Sequence, residues 1–169
     1  MGTAIVVTSG KGGTGKTSFT AGVGAALALS GLRVLCVDCD IGLRNLDIAL
    51  GLSDAALMDF SDVAQQRCTL ERAVVAHPQL AKLSLLTAPI RQRGQPVTGE
   101  QMASLLRAVR MQYDFCLLDA PAGLGDGFLL ATAAADRCVV VTTADASSLR
   151  DAQHTVMELG RFGPGKLHL

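Results

Sequence analysis

The sequence predicts an α/β domain with a doubly wound, mostly parallel sheet flanked by helices. Three observations carry that expectation. Short runs rich in Val, Leu and Cys recur along the chain, stretches of helical periodicity separate most of them, and a glycine-rich loop joins the first run directly to the first helix. Runs that are apolar at nearly every position, such as Ile5-Val6-Val7 and Val139-Val140-Val141, suit strands covered on both faces, as in a parallel sheet between helix layers.

Strands are expected at Ala4–Ser9, Arg33–Asp38, Leu83–Thr87, Asp114–Asp119 and Arg137–Thr143. Helices are expected at about Lys16–Ser30, Leu70–Ala76, Gly99–Met111, Gly127–Ala135 and Ser147–Leu159. Pro89–Gly99, rich in Gly, Pro, Gln and Arg, reads as an exposed loop. Gly160–Gly165 reads as a break, and Lys166–Leu169 as the start of a further strand. With 169 residues and 49% hydrophobic content, the whole chain fits a single domain, 1–169.

Fifteen basic residues balance fifteen acidic ones, so no net field draws the chain to nucleic acid or acidic lipid, and no nucleic-acid partner is expected. No apolar run approaches the roughly 18 residues of a membrane span, and no charged leader precedes the first strand, which points to the cytoplasm. The five cysteines lie mostly in apolar runs and fit reduced, buried thiols. Cys36 and Cys39 form a C-x-x-C, but no second pair completes a zinc site. His77, His154 and His168 are isolated from one another and receive no role.

Gly10-Lys11-Gly12-Gly13-Thr14-Gly15-Lys16-Thr17 satisfies G-x-x-x-x-G-K-[ST] in its required context, after a strand and before a helix, with Ser18 following. Glycines let the backbone approach phosphate oxygens closely, its N–H groups point inward, and the helix N-terminus adds partial positive charge. Lys16 is expected beside the β and γ phosphates and Thr17 on Mg²⁺. Lys11 cannot easily turn back onto phosphates bound by its own loop. Two readings fit it: a cation reaching the phosphates of a second copy during γ-phosphoryl transfer, or a solvated surface lysine.

Phosphoryl transfer also needs carboxylates near the metal, and Asp38 and Asp119 both close strands at the edge where the loop lies. Asp119 ends a hydrophobic run, the form expected of a residue holding Mg²⁺ directly or through water. If the chain stays extended, Asp38 and Asp40 share one side, so that one serves the metal shell while the other orients the attacking water. Strand-end Asp is also an ordinary turn or capping residue. Pro121–Gly125 is flexible enough to sense a γ-phosphate.

These residues resemble the MinD and ParA group of deviant Walker A ATPases, a P-loop NTPase fold. Lys11–Thr17 is similar to the group's signature-lysine loop, Asp38–Asp47 to its first switch, and Asp119–Gly123 to its second. Ala135-Asp136 and Ser147–Asp151 resemble its fifth strand and the helix beyond. The resemblance implies an Mg²⁺-dependent ATPase forming an ATP-sandwiched homodimer. In it Lys11 reaches the partner's nucleotide, Lys16 and Thr17 bind phosphate and Mg²⁺, Asp40 helps activate water, and Asp38 and Asp119 complete the metal environment.

In the group's cell-division branch the ATP-bound dimer associates with membrane, recruits a division inhibitor and answers to a topological specificity factor. The family chain is about half as long again, with further elements around the base and a terminal amphipathic helix. The sequence is therefore expected to be the N-terminal part of the fold, incomplete on its C-terminal side and without that helix. Gly125 also departs from the acidic residue usual there, with Asp126 one place on. The alternatives are a ParA-type partition or flagellar-positioning ATPase, and a nucleotide-binding interaction module with little catalysis. A nitrogenase-iron-protein reading fails because no cysteine lies in Ala120–Gly127.

Overall fold

The computed structural model describes residues 1–91, 94–163 and 165–169; Gln92 and Arg93 of the expected loop and Pro164 of the expected break lie outside the described residues. In chain order the elements are β1 (Thr3–Thr8), α1 (Lys16–Leu29), β2 (Val34–Asp38), α2 (Leu46–Ala49), α3 (Phe60–Ala64), α4 (Leu70–Ala73), β3 (Val75–Ala76), β4 (Leu83–Leu86), α5 (Gly99–Gln112), β5 (Phe115–Asp119), α6 (Asp126–Thr132), β6 (Arg137–Val140), α7 (Ala146–Glu158), a 3₁₀ turn (Gly160–Phe162) and β7 (Leu167–His168). The seven strands form one sheet in the order β3-β4-β2-β5-β1-β6-β7.

Every neighbouring pair is parallel except β3 with β4. That exception corrects one expected element: the helix at Leu70–Ala76 stops at Ala73, and Val75-Ala76 pairs antiparallel with Leu85 and Ser84. Consecutive β-branched residues at Val74 and Val75 favour the extended backbone, and a free sheet edge was within reach to satisfy it. The strand expected over Arg137–Thr143 leaves the sheet after Val140, where the Thr142 and Thr143 side chains turn to Ser148 at the start of α7.

Alternation along the strands divides the core into two layers. Ala4, Val6, Leu35, Val37, Cys116 and Leu118 face a layer built from α3, α5, α6 and α7, with Phe60, Met102, Leu106 and Phe128 at its centre. Val34, Cys36, Leu83, Leu85 and Leu117 face α1 and α2. The C-x-x-C is thereby split: Cys36 lies in one layer and Cys39 in the other, and burial raises both thiols, Cys36 to about 12.

Helix α1 lies close on the sheet because Gly24 permits it. A Cβ there would stand 2.6 Å from the buried Cys36 Sγ. Gly24→Ala is therefore expected to destabilise the chain by about 1–3 kcal/mol, even though alanine favours helix by about 1 kcal/mol. A urea titration checks this, and a raised midpoint would show that α1 has room to move.

Candidate functional site

The carboxyl ends of β1, β2 and β5 meet at one edge of the sheet, and the loops leaving them enclose a groove of about 520 Å³. Its floor is the loop after β1. Gly13 and Gly15 hold φ at 78° and 90°, a left-handed backbone that a side chain would strain. No atom lies within 4 Å of where a Cβ would stand on Gly12, Gly13 or Gly15, so the backbone is open to an approaching anion. The buried Ser9 hydroxyl donates to the Lys11 carbonyl at 2.7 Å and shapes the turn from beneath. Gly10 packs against α7, where a Cβ would stand 2.5 Å from the Asp151 backbone.

Lys16 opens α1 and is nearly buried, lining the groove with Thr17, Ser18 and Asp40. Thr17 Oγ1 donates to Asp119 Oδ2 at 2.6 Å, and Thr20 Oγ1, one helical turn on, donates to Asp119 Oδ1 at 3.3 Å. Thr20 was not singled out from sequence, although its i+3 spacing from Thr17 places both on one helix face. Thr14 is part of the same loop, but its buried hydroxyl has no hydrogen-bond partner among the described residues. Thr14→Val should raise stability by about 1 kcal/mol, read as an increase in melting temperature. A fall would mean that the hydroxyl makes a bond in solution.

Asp38 and Asp40 do not share one environment as an extended chain would have placed them. The strand ends at Asp38, which is 1% exposed, and Asp40 N–H turns back to donate to Asp38 Oδ1 at 2.8 Å. Leu46 N–H donates to Asp38 Oδ2 at 3.1 Å. Further along the loop, Arg44 holds a left-handed φ of 45° while its guanidinium, largely buried, pairs with Asp47 at 3.1 Å. Gly42 N–H donates to the Pro89 carbonyl at 3.2 Å.

Asp38 and Asp119 lie buried behind the groove that Asp40 lines, and burial raises all three carboxyls. Asp38 is lifted to about 6, its two amide bonds partly offsetting the cost. Asp119 and Asp40 are raised less freely because Lys16 opposes the shift in both, and Asp119 is held further by Thr17. A divalent cation beside them would relieve that cost. Among the described residues no three His, Cys, Asp or Glu converge as a ready-made metal cage. Mg²⁺ in a phosphate site asks for no such cage, since one or two protein oxygens suffice when phosphate and water supply the rest. The donor set of Thr17 and Asp119 fits that requirement.

The loop after β5 rests on the first loop through Gly123, at φ 83°, whose N–H donates to the Ser9 carbonyl at 3.3 Å. Gly125 caps α6 without a side-chain bond, and Gly127 packs on Pro121 so closely that a Cβ would stand 2.6 Å from its ring. Lys11 points away from the groove. Its Nζ lies 3.0 Å from Ser147 Oγ and 3.4 Å from Asp145 Oδ1. Hydroxyls of Ser148 and Thr143 hold the Asp145 carboxyl well below the usual carboxylate range. In a single copy Lys11 is thus neither at the phosphate cradle nor freely solvated.

Elsewhere, an open depression of about 620 Å³ between α3 and α5 has walls of Gln, Ser, Ala, Val and Leu with one Glu and one Arg, and holds no glycine loop or lysine. No helix among the described residues is long and apolar enough to cross a membrane.

The family model for ParA, described as NUBPL iron-transfer P-loop NTPase, matches residues 1–161. The septum site-determining protein MinD of Synechocystis is 42% identical over 165 residues, covering 98% of this chain and 62% of that protein. This chain thus spans less than two-thirds of that relative's length. In the MinC:MinD cell division complex of Aquifex aeolicus, a matching chain superposes with a TM-score of 0.87 at 37% identity, covering 98% of this chain and 66% of that one. MinD of Pyrococcus horikoshii, solved with Mg-ADP, superposes at 0.82 and 30% identity, covering 99% and 68%. With its phosphate loop in the shared topological position and the family match running along nearly its whole length, the chain belongs to the MinD/ParA family of P-loop NTPases.

Proposed function

We propose that this chain binds ATP with Mg²⁺ and hydrolyses it, as the nucleotide-binding core of a MinD-like switch in bacterial division-site placement. The observation that carries the reading is the open glycine cradle with Lys16 at its end and the Thr17–Asp119 hydrogen bond beside it. Gly10–Gly15 and Ser18 offer backbone or hydroxyl donors to the phosphates, and Lys16 sets its ammonium beside the β and γ groups. Thr17 would hold Mg²⁺ with Asp119 next to it, leaving Asp38, whose oxygens each hold an amide, to the outer shell. Held there, Mg²⁺ would supply positive charge to offset that of the phosphates. Asp40, half-buried on the groove wall, where Lys16 opposes the rise that burial imposes on it, is our candidate for orienting a water.

The active form in this reading is an ATP-dependent homodimer. Lys11 leaves Asp145 and Ser147 to meet the phosphates of a second copy, and Leu43 and Ile48, exposed on the rim of the groove, supply apolar surface for that contact. The Aquifex relative was solved with MinC. By that likeness a MinC-type division inhibitor is the proposed partner, with a topological specificity factor acting on hydrolysis and membrane association belonging to the dimer. Phosphate release with Mg²⁺ and ATP, measured beside a nucleotide-binding titration and size-exclusion chromatography, tests the reading. Binding without phosphate release would leave an interaction module, and no binding would sink the proposal.

A further inference from the structure

We infer that Asp38 is a positioning residue whose carboxylate closes the first-switch loop and thereby holds Asp40 at the groove. The inference deepens the reading above, on which the role of Asp40 rests. Asp38 projects from a rigid element: its Cα pairs with Asp119 at the end of the β2–β5 ladder. The two N–H groups it accepts stand at the entry to the loop, Asp40, and at its exit, Leu46, where α2 begins. One side chain thus ties both ends of an irregular segment to the sheet.

Between those anchors the backbone is held by Gly42 N–H donating to the Pro89 carbonyl at 3.2 Å and Arg44 N–H to the Asp40 carbonyl at 3.4 Å. Ile41, Gly42 and Leu43 are exposed, and Gly42 and Arg44 both take left-handed backbone, which strains a residue with a side chain. Such a conformation persists only where its surroundings determine it. Asp47 pins the far end by accepting from Arg44 and from Ile48 N–H. Asp38 pins the end that carries Asp40. A carboxylate suits the task, because it offers an acceptor oxygen to each of the two N–H groups. Asparagine, of nearly the same shape, keeps one acceptor and turns a donor toward the second N–H.

Amide hydrogen exchange of the full chain without nucleotide, followed by NMR, tests this. In the wild type the Asp40 and Leu46 amides should exchange at least about tenfold more slowly than those of Ile41 and Leu43. Asp38→Asn should speed one or both by about tenfold or more, while the Cys39 amide, which donates to the Asp119 carbonyl, keeps its protection. Equal exchange across the four loop amides in the wild type overturns the inference, and that comparison decides even if the variant folds poorly. Binding of a fluorescent non-hydrolysable ATP analogue is then titrated with Mg²⁺. The variant should keep its Mg²⁺ dependence within about twofold and lose about tenfold or more in kcat with KM unchanged. A tenfold weaker Mg²⁺ response with both amides still protected would make Asp38 a metal ligand and also overturn the inference. If the wild type binds no nucleotide, the proposed function fails and the amide comparison decides the role of Asp38.

Discussion

Lys16→Ala is expected to weaken ATP binding by at least about a hundredfold, because the ammonium would lose charge-assisted hydrogen bonds to two phosphate groups, each worth about 1.5–3 kcal/mol. The second consequence lies within the protein. Lys16 opposes the rise in proton affinity of both Asp40 and Asp119, so removing it leaves one half-buried and one buried carboxylate without their cation. Those carboxylates should repel an incoming triphosphate, and the loss should steepen as the pH rises and more of them are ionised. Calorimetric titration with ATP and Mg²⁺ measures the affinity, and a thermal melt of the free variant separates lost binding from lost fold. Equal affinity in wild type and variant would reject the phosphate cradle.

Lys11→Ala should behave in the opposite way, leaving affinity nearly intact and lowering kcat by about 10³, the scale on which a charge-neutralising cation supplied in trans acts on γ-phosphoryl transfer. The geometry explains the asymmetry. In a single copy its Nζ rests on Ser147 and Asp145 outside the groove, so it contributes little to binding by its own loop. Its cost to stability should also be small. Both partners in the ion pair are well exposed, at 39% and 52%, where water and salt screen the attraction. Single-turnover hydrolysis beside equilibrium binding distinguishes the two steps. A wild type that remains monomeric at full ATPase activity would remove the cross-subunit role of Lys11.

Tertiary structure was legible in the sequence wherever the physics is local. The parallel strands appear as continuous apolar runs because a strand covered on both faces has no polar side to alternate. The phosphate loop is contiguous, so glycine spacing, lysine and threonine state its geometry within eight residues. Helices α2 and α3, of four and five residues, left no periodic signal because neither spans two full turns. Strand β3 was hidden for a related reason: two residues become a strand only when an edge is there to receive them.

Site residues divide along the same line. Gly10–Thr17 and the strand-end position of Asp119 follow from order along the chain alone. That Asp119 is held by Thr17 and Thr20, that Lys11 rests on residues more than 130 positions away, and that Asp38 spends both oxygens on backbone amides follow from how the elements pack. A residue type and its spacing specify which chemistry is present. Which donor meets which acceptor depends on distances of about 3 Å between segments that only the closed core brings together, since hydrogen bonding is directional and burial is not.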